Sequence, residues 1–357
     1  MKTNLCLVTL LAFLPWSHGL PAGEVKVAAT PNGGMVPDAE IDRQGVVHVA
    51  YVTGENVYYV KSSDEGSTFT APIRVNSETD TAHPANMYRG PDLALGKDGR
   101  VHVIWYCNAY QRKLPQDQWG VMYAHLNEAK NAFVPSRNLN HKPSDNYSLA
   151  ADGHGKVAVF WMAGGLFYNL SKDGGETFGD AVKIASADTC ECCASRAFFS
   201  ADGALHCAYR DKANNIRDMY LLSQPKGQAT FAKEKISATP WEVKGCPMTG
   251  TFLTGDKNGL VAAWETKGRV FFTRLAGNGR DTSPRESLAP VRGGKWPIAL
   301  IAPDRSVLVS WKNGATLEWQ LYDANDKPVG DKKSKPSPNP HRHAGVVTAS
   351  GNFVLVD

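Results

Sequence analysis

Beyond its first twenty residues the sequence has no apolar run approaching the roughly 20 residues that a helix needs to cross a bilayer. It has no segment with a sustained 3.6-residue apolar period, which argues against helical bundles and α/β layers. It has no surplus of one charge either: Lys and Arg total 39 against 35 Asp and Glu, interspersed along the chain. The densest basic stretch holds Lys332, Lys333, Lys335, His341, Arg342 and His343. Prolines interrupt it, so it reads as a solvated loop. With no basic stripe and no basic–aromatic interleaving, nucleic acid is not an expected partner.

Cysteine is scarce, and its placement is informative. One of the seven, Cys6, lies in a segment that reads as a signal peptide over residues 1–19. Lys2 supplies a thin basic start, residues 5–14 an apolar core too short to span a bilayer, and Ser17 and Gly19 small residues for cleavage before Leu20. The expectation is a secreted or periplasmic protein, with one domain over residues 20–357. Six cysteines then remain, an even number that favours disulfides in an oxidising compartment.

Glycine and proline are plentiful, at 33 and 21, and a repeat runs the length of the chain. A turn followed by a short hydrophobic strand recurs seven times: QGVVHVAY at 44–51, DGRVHVIWY at 98–106, HGKVAVFW at 154–161, DGALHCAY at 202–209, NGLVAAW at 258–264, DRSVLVSW at 304–311 and SGNFVLVD at 350–357. Gly45, Gly99, Gly155, Gly203, Gly259, Arg305 and Gly351 are spaced by 54, 56, 48, 56, 46 and 46 residues. Another short strand precedes each copy, and a third follows most, as at 56–62, 120–126, 165–171 and 269–275. Asp-Gly or Asn-Gly between the first two is a hairpin signal, because both residues tolerate positive φ. The unit is an antiparallel meander, and its period suits four-stranded blades. The fold class expected is all-β, a β-propeller of seven units closed by the N-terminal strand at 24–28, with six blades as the alternative.

Two segments carry a sharper pattern. Ser62, Asp64, Gly66, Thr68 and Phe69, then Ser171, Asp173, Gly175, Thr177 and Phe178, both fit S-x-D-x-G-x-T-F. They lie 109 residues apart, at one place after the third strand. A weakened copy begins at Ser223. In each the Asp closes a turn on backbone N–H groups and the Gly supplies its φ. These motifs resemble the Asp-box, or bacterial neuraminidase (BNR), repeat of the sialidase-like propellers, where they are structural and sit away from the active site.

That resemblance implies a glycan-directed protein, an exo-α-sialidase-type glycoside hydrolase or a glycan binder, acting at the channel mouth. Family sialidases clamp a substrate carboxylate with three arginines, and use a Tyr assisted by a Glu and an acid/base Asp. The first arginine usually lies in an Arg-Ile-Pro motif. Here Met35-Val36-Pro37-Asp38 stands in its place, without an arginine. The candidates for a clamp are Arg89, Arg196 and Arg342, near the starts of innermost strands, and Arg210 and Arg217 within YRDKANNIRDMY at 209–220. Asp92 is the candidate acid, and Asp38 matches its repeat position. The partner expected is a glycan or another small anionic ligand.

His48, His102 and His206 share one repeat position in the second strand. Equivalent positions in different blades spread around a ring, so they cannot converge on one ion. The cysteines can converge. Cys190, Cys192 and Cys193 lead into the inner strand of unit four, and Cys246 leads into that of unit five at the same offset from its turn. CxCC, RDxxxNIRD and GCP together resemble a subgroup of exported sialidase-like proteins. Disulfides are the first expectation. A soft-metal site for copper or zinc, with Met248 beside it, is the alternative, and it goes with a second function class, a non-catalytic scaffold for protein partners.

Overall fold

The computed structural model describes residues 23–82, 89–107, 113–185, 188–276, 286–337, 339 and 341–357. The proposed leader over residues 1–19 lies outside them. Apart from single 3₁₀ turns such as Lys97–Gly99, the regular structure described is all strand, β1 to β27 in chain order.

Six four-stranded antiparallel meanders follow one another, each opening with an inner strand: β2 (Met35–Ile41), β6 (Asp92–Leu95), β10 (Asp145–Ala151), β14 (Arg196–Phe199), β18 (Thr251–Asp256) and β22 (Lys295–Ile301). The seventh sheet is built from both ends of the chain. Its inner strand β26 (Ala344–Val347) pairs antiparallel with β27 (Phe353–Val356), and β1 (Val25–Ala28) adds to β27 in parallel, Val25 opposite Phe353. Each inner strand packs on the next, and β26 packs on β2, so the ring closes with seven blades. Six blades, with the last hairpin used elsewhere, is thereby excluded.

The repeat is legible because of where the second strands sit. Strands such as β7 (Val101–Cys107) and β19 (Gly259–Thr266) are buried along their whole length, sandwiched between neighbouring blades. One position near their ends carries Tyr51, Trp105, Trp161, Tyr209, Trp264 and Trp311, all at most 1% exposed. The core is correspondingly divided into seven hydrophobic clusters, one in each blade–blade interface.

The Asp boxes lock the turn after the third strand. Asp64 accepts from the Thr68 N–H at 2.9 Å and the Thr68 hydroxyl at 2.6 Å, while Gly66 N–H donates to Ser62 Oγ at 2.8 Å. Asp173, Thr177, Gly175 and Ser171 repeat the pattern. Hydrogen bonds from Thr177 hold the Asp173 carboxyl down, to about 2. Phe178 meets the Tyr123 ring edge-on, at 5.0 Å between centroids. The equivalent histidines stay within their own blades: His48 bonds Tyr59 and His102 bonds Tyr123, each at 2.7 Å, and His206 bonds Ser223 at 2.8 Å.

The basic stretch near the C-terminus departs from the loop expected of it. Pro328–Pro336 forms β25, the exposed outer strand of blade six, where the lysines guard an open sheet edge. His343, by contrast, is buried and bonds Ser310 at 2.7 Å.

Candidate functional site at the channel mouth

Strand register determines what lines the channel. Asp38 pairs with Ala50, Asp92 with Ile104, Ser148 with Phe160, Arg196 with Ala208, Phe252 with Ala263, Ile298 with Ser310 and Ala344 with Val356. These partners hold one repeat position in the seven second strands, so Asp38, Asp92, Ser148, Arg196, Phe252, Ile298 and Ala344 form one layer across the ring. Blades one to four contribute its polar side, and blades five to seven its apolar side.

Arg196 crosses this layer. Its Nη1 donates to Asp38 Oδ1 at 3.0 Å and Oδ2 at 3.1 Å, and lies 3.7 Å from Asp92 Oδ1. Its Nη2 lies 3.6 Å from Glu40 Oε1, and its guanidinium covers the Phe252 ring at 5.2 Å. Burial alone would loosen the arginine's proton, but Asp38, Asp92 and Glu40 outweigh it and hold the group cationic. Asp38 Oδ2 also accepts from the Leu93 N–H at 2.8 Å, which ties blade one to blade two. Burial raises the Asp92 carboxyl above its ordinary range, opposed by Arg196 and reinforced by Asp38.

The layer divides the channel. On the hairpin side a cavity of ≈ 1650 Å³ opens, lined by Glu40, Asp42, Asp98, Asp152 and Asp256 among others. Glu40 faces it with 39% side-chain exposure. Burial, the largest influence, raises its carboxyl to about 7 against the pull of Arg196. On the other side, where inner strands begin, the described residues bound a cleft of only ≈ 20 Å³ lined by Asp38, Ser195, Arg196, Thr251, Trp296, Arg342 and His343. Trp296 sits at a register shift in β22 with φ 52°, just before Pro297. Val36 sits at the matching shift in β2 with φ 48°, just before Pro37. A bulky or β-branched residue with positive φ is rare, and such strain collects at functional sites. The indole of Trp296 packs against Gly250, where an added Cβ would lie 2.9 Å from it.

The five candidate arginines divide into two groups. Arg342 Nη2 lies 3.3 Å from Asp92 Oδ1, and Arg89 is ion-paired with Asp145. Both guanidiniums act on the buried hydroxyl of Tyr147, which donates to Gly90 O at 2.8 Å. Arg196 and Arg342 therefore meet at Asp92, and Arg342 and Arg89 flank Tyr147, each already matched by a carboxylate of the chain. Arg210 and Arg217 point elsewhere. Arg210 donates to the carbonyls of Arg217 and Glu265 and lies over the Trp241 ring at 5.0 Å. Arg217 donates to Val243 O at 3.1 Å and to Cys190 Sγ at 2.9 Å. They knot the loop between blades four and five.

At that knot Cys192 and Cys246 form a disulfide, Cα–Cα 6.5 Å, while Cys190 and Cys193 are free and buried. The sulfurs of Cys190, Cys192 and Cys193 lie within 4.8 Å of one another, as a shared soft ligand would require. Met248 stands exposed nearby in sequence, at 45%.

Glu40 and Trp296 carry no signal in the sequence, His343 is buried here rather than in the solvated loop expected of it, and Asp38 stands out there only as the match of Asp92. Aligning the hairpins in register would have put Asp38, Asp92 and Arg196 in one layer. Nothing local marks Trp296.

No protein-family model matches the chain, and no curated protein matches it in sequence. Solved structures do. A protein of unknown function from Dyadobacter fermentans is similar at 13% identity and TM-score 0.55, over 87% of this chain and 97% of its own. An α-L-arabinanase from Penicillium chrysogenum, complexed with arabinobiose, is similar at 12% and 0.53, over 85% and 98%. The NanB sialidase from Streptococcus pneumoniae is similar at 10% and 0.51, over 78% of this chain and 65% of its own. At such identities the likeness lies in the fold alone: the chain is a seven-bladed β-propeller.

Proposed function

We propose that this protein is an exported, glycan-directed propeller that engages its ligand on the surface around Trp296 and Arg342, over the shallow cleft above Arg196. The observation that carries the reading is the layer of Asp38, Asp92 and Arg196 beneath Trp296 and Arg342. A buried carboxyl with a raised pKa, beside a second carboxyl held by an arginine, is the arrangement that glycoside chemistry uses for acid and base roles. Trp296 offers the flat apolar face on which a sugar ring packs, and Arg342 a hydrogen-bonding fork for a hydroxyl-rich group. The similarity to an α-L-arabinanase complexed with arabinobiose supports the ligand class, as fold-level analogy.

The three arginines are matched by Asp38, Asp92 and Asp145, so the geometry favours a glycan without a carboxylate to clamp over a sialoside. Export is part of the proposal. The leader-like start and the Cys192–Cys246 disulfide support it, and no helix among the described residues is long and apolar enough to cross a membrane.

The test is a glycan array followed by incubation with the glycans retained. Binding should fall at least tenfold in Trp296→Ala and Arg342→Ala. If the bound glycan is cleaved, Asp92→Asn should abolish cleavage and keep binding. No retained glycan, or binding indifferent to both cleft substitutions, would end this reading in favour of a scaffold for protein partners.

A further inference from the structure

The four cysteines at the blade four–five knot take no part in the glycan reading, and their geometry is directional. Cys246 is exposed and Cys192 is half-buried, whereas Cys190 and Cys193 are 0% and 1% exposed. Cys190 Sγ lies 3.0 Å from Cys193 Sγ and 3.7 Å from Cys192 Sγ. A tight turn fixes these sulfurs, with Cys193 N–H donating to Cys190 O at 3.0 Å and Cys190 N–H to Arg210 O at 2.9 Å. Arg217 Nη1 donates to Cys190 Sγ from the side. A sulfur held by an arginine beside a disulfide sulfur, with a third thiol in contact behind it, is the arrangement that thiol–disulfide exchange needs.

We propose that these cysteines form a two-electron relay: the outer Cys192–Cys246 disulfide exchanges with disulfides in solution, and the buried Cys190/Cys193 pair is oxidised only through it. The Cys190 thiolate attacks Cys192 Sγ, forming a Cys190–Cys192 bond and releasing the Cys246 thiolate. Cys193 then attacks Cys190 Sγ, expelling the Cys192 thiolate, and its proton passes to a released thiolate. An external disulfide RSSR re-forms Cys192–Cys246 and leaves as two RSH. In sum, one protein dithiol and one RSSR become one protein disulfide and two RSH. The inference is independent of the glycan reading.

The full-length protein, fully reduced and freed of reductant, is exposed to oxidised glutathione. It is quenched at intervals with N-ethylmaleimide under denaturing conditions and digested with trypsin. Residues 184–196 hold Cys190, Cys192 and Cys193, and residues 245–257 hold Cys246. The expected sequence is a cross-linked pair of these peptides carrying two labels, converting to one carrying none. In Cys192→Ser the inner pair should keep both labels, oxidising at least roughly tenfold more slowly. In Cys246→Ser it should still oxidise, through a glutathione adduct on Cys192, which separates lost exchange from lost folding. Two labels retained by wild type at all times would overturn the relay, as would unchanged inner oxidation in Cys192→Ser. Stoichiometric copper or zinc on the reduced protein, by elemental analysis, would overturn it in favour of a soft-metal site.

Discussion

Replacing Arg196 by Met tests the channel layer most directly. The guanidinium is 7% exposed and is the cation shared by Asp38, Asp92 and Glu40. Methionine keeps a chain of similar length beside Phe252, so the loss is mainly of charge. Breaking a buried ion pair from one side costs about 3–5 kcal/mol; here Asp38 stays buried after losing Arg196, while Asp92 keeps Arg342 at 3.3 Å. A domain of roughly 340 residues unfolds with an entropy near 0.7 kcal/mol/K, so Tm should fall by about 4–7 °C. The sign of the pH dependence follows. Without Arg196 the carboxyls of Asp92 and Glu40, which burial already raises, lose the cation that opposes that rise and shift further up. Folded protein then binds more protons, and stability drops as pH rises above about 4. The deficit should therefore be large at pH 7.5 and smaller at pH 4, and adding Asp38→Asn should recover part of it at pH 7.5. Thermal denaturation followed by circular dichroism at the two pH values measures this. A deficit under about 1 kcal/mol, or one that grows as pH falls, would refute the account of the layer as a buried charge cluster.

Three further predictions follow from particular contacts. Because burial raises the Glu40 carboxyl to about 7 in the fold, its contribution to stability is full at low pH and is lost as pH rises through 4.5 to 7. Glu40→Gln should flatten that slope by about 1 kcal/mol after discounting for exposure and solvent screening, read from urea midpoints across the range. Gly175→Ala would place a Cβ 1.8 Å from the Tyr123 hydroxyl oxygen at φ 84°, whereas Gly33→Ala meets nothing within 4 Å at φ 64°. The first should cost about 2–4 kcal/mol and the second about 1 by urea denaturation, and equal costs would argue that φ alone matters. Removing residues 1–28 takes β1 from β27 and exposes an edge of blade seven. That should lower Tm and promote self-association, detectable by light scattering.

What was legible in the sequence was whatever each blade must do alone. Second strands are buried on both faces, so VHVAY, VHVIWY and VLVSW had to be apolar, and their period counts the blades. Asp boxes work through hydrogen bonds within about seven residues, so Ser62 to Phe69 and Ser171 to Phe178 were readable as they stand. The proximity of Cys246 to Cys192 was also accessible, because equal offsets in adjacent blades place two residues at one end of the ring. The short fourth strands were not; Ile73–Arg74 and Arg137–Asn138 are two residues each and carry no period.

The site depended on contacts across the ring, which no local pattern encodes. Arg196 meets Asp38 across 158 residues and Arg342 meets Asp92 across 250. Arg89, Arg196, Arg210, Arg217 and Arg342 looked equivalent in sequence, each close to a strand end. Only the closed ring decided that Arg196 and Arg342 turn toward Asp92, Arg89 toward Asp145, and the other two into the cysteine knot. The sequence by itself determined the repeating blade, because burial and turn chemistry act within one unit. The tertiary structure decided which charges meet, because closure brings together inner strands that lie hundreds of residues apart.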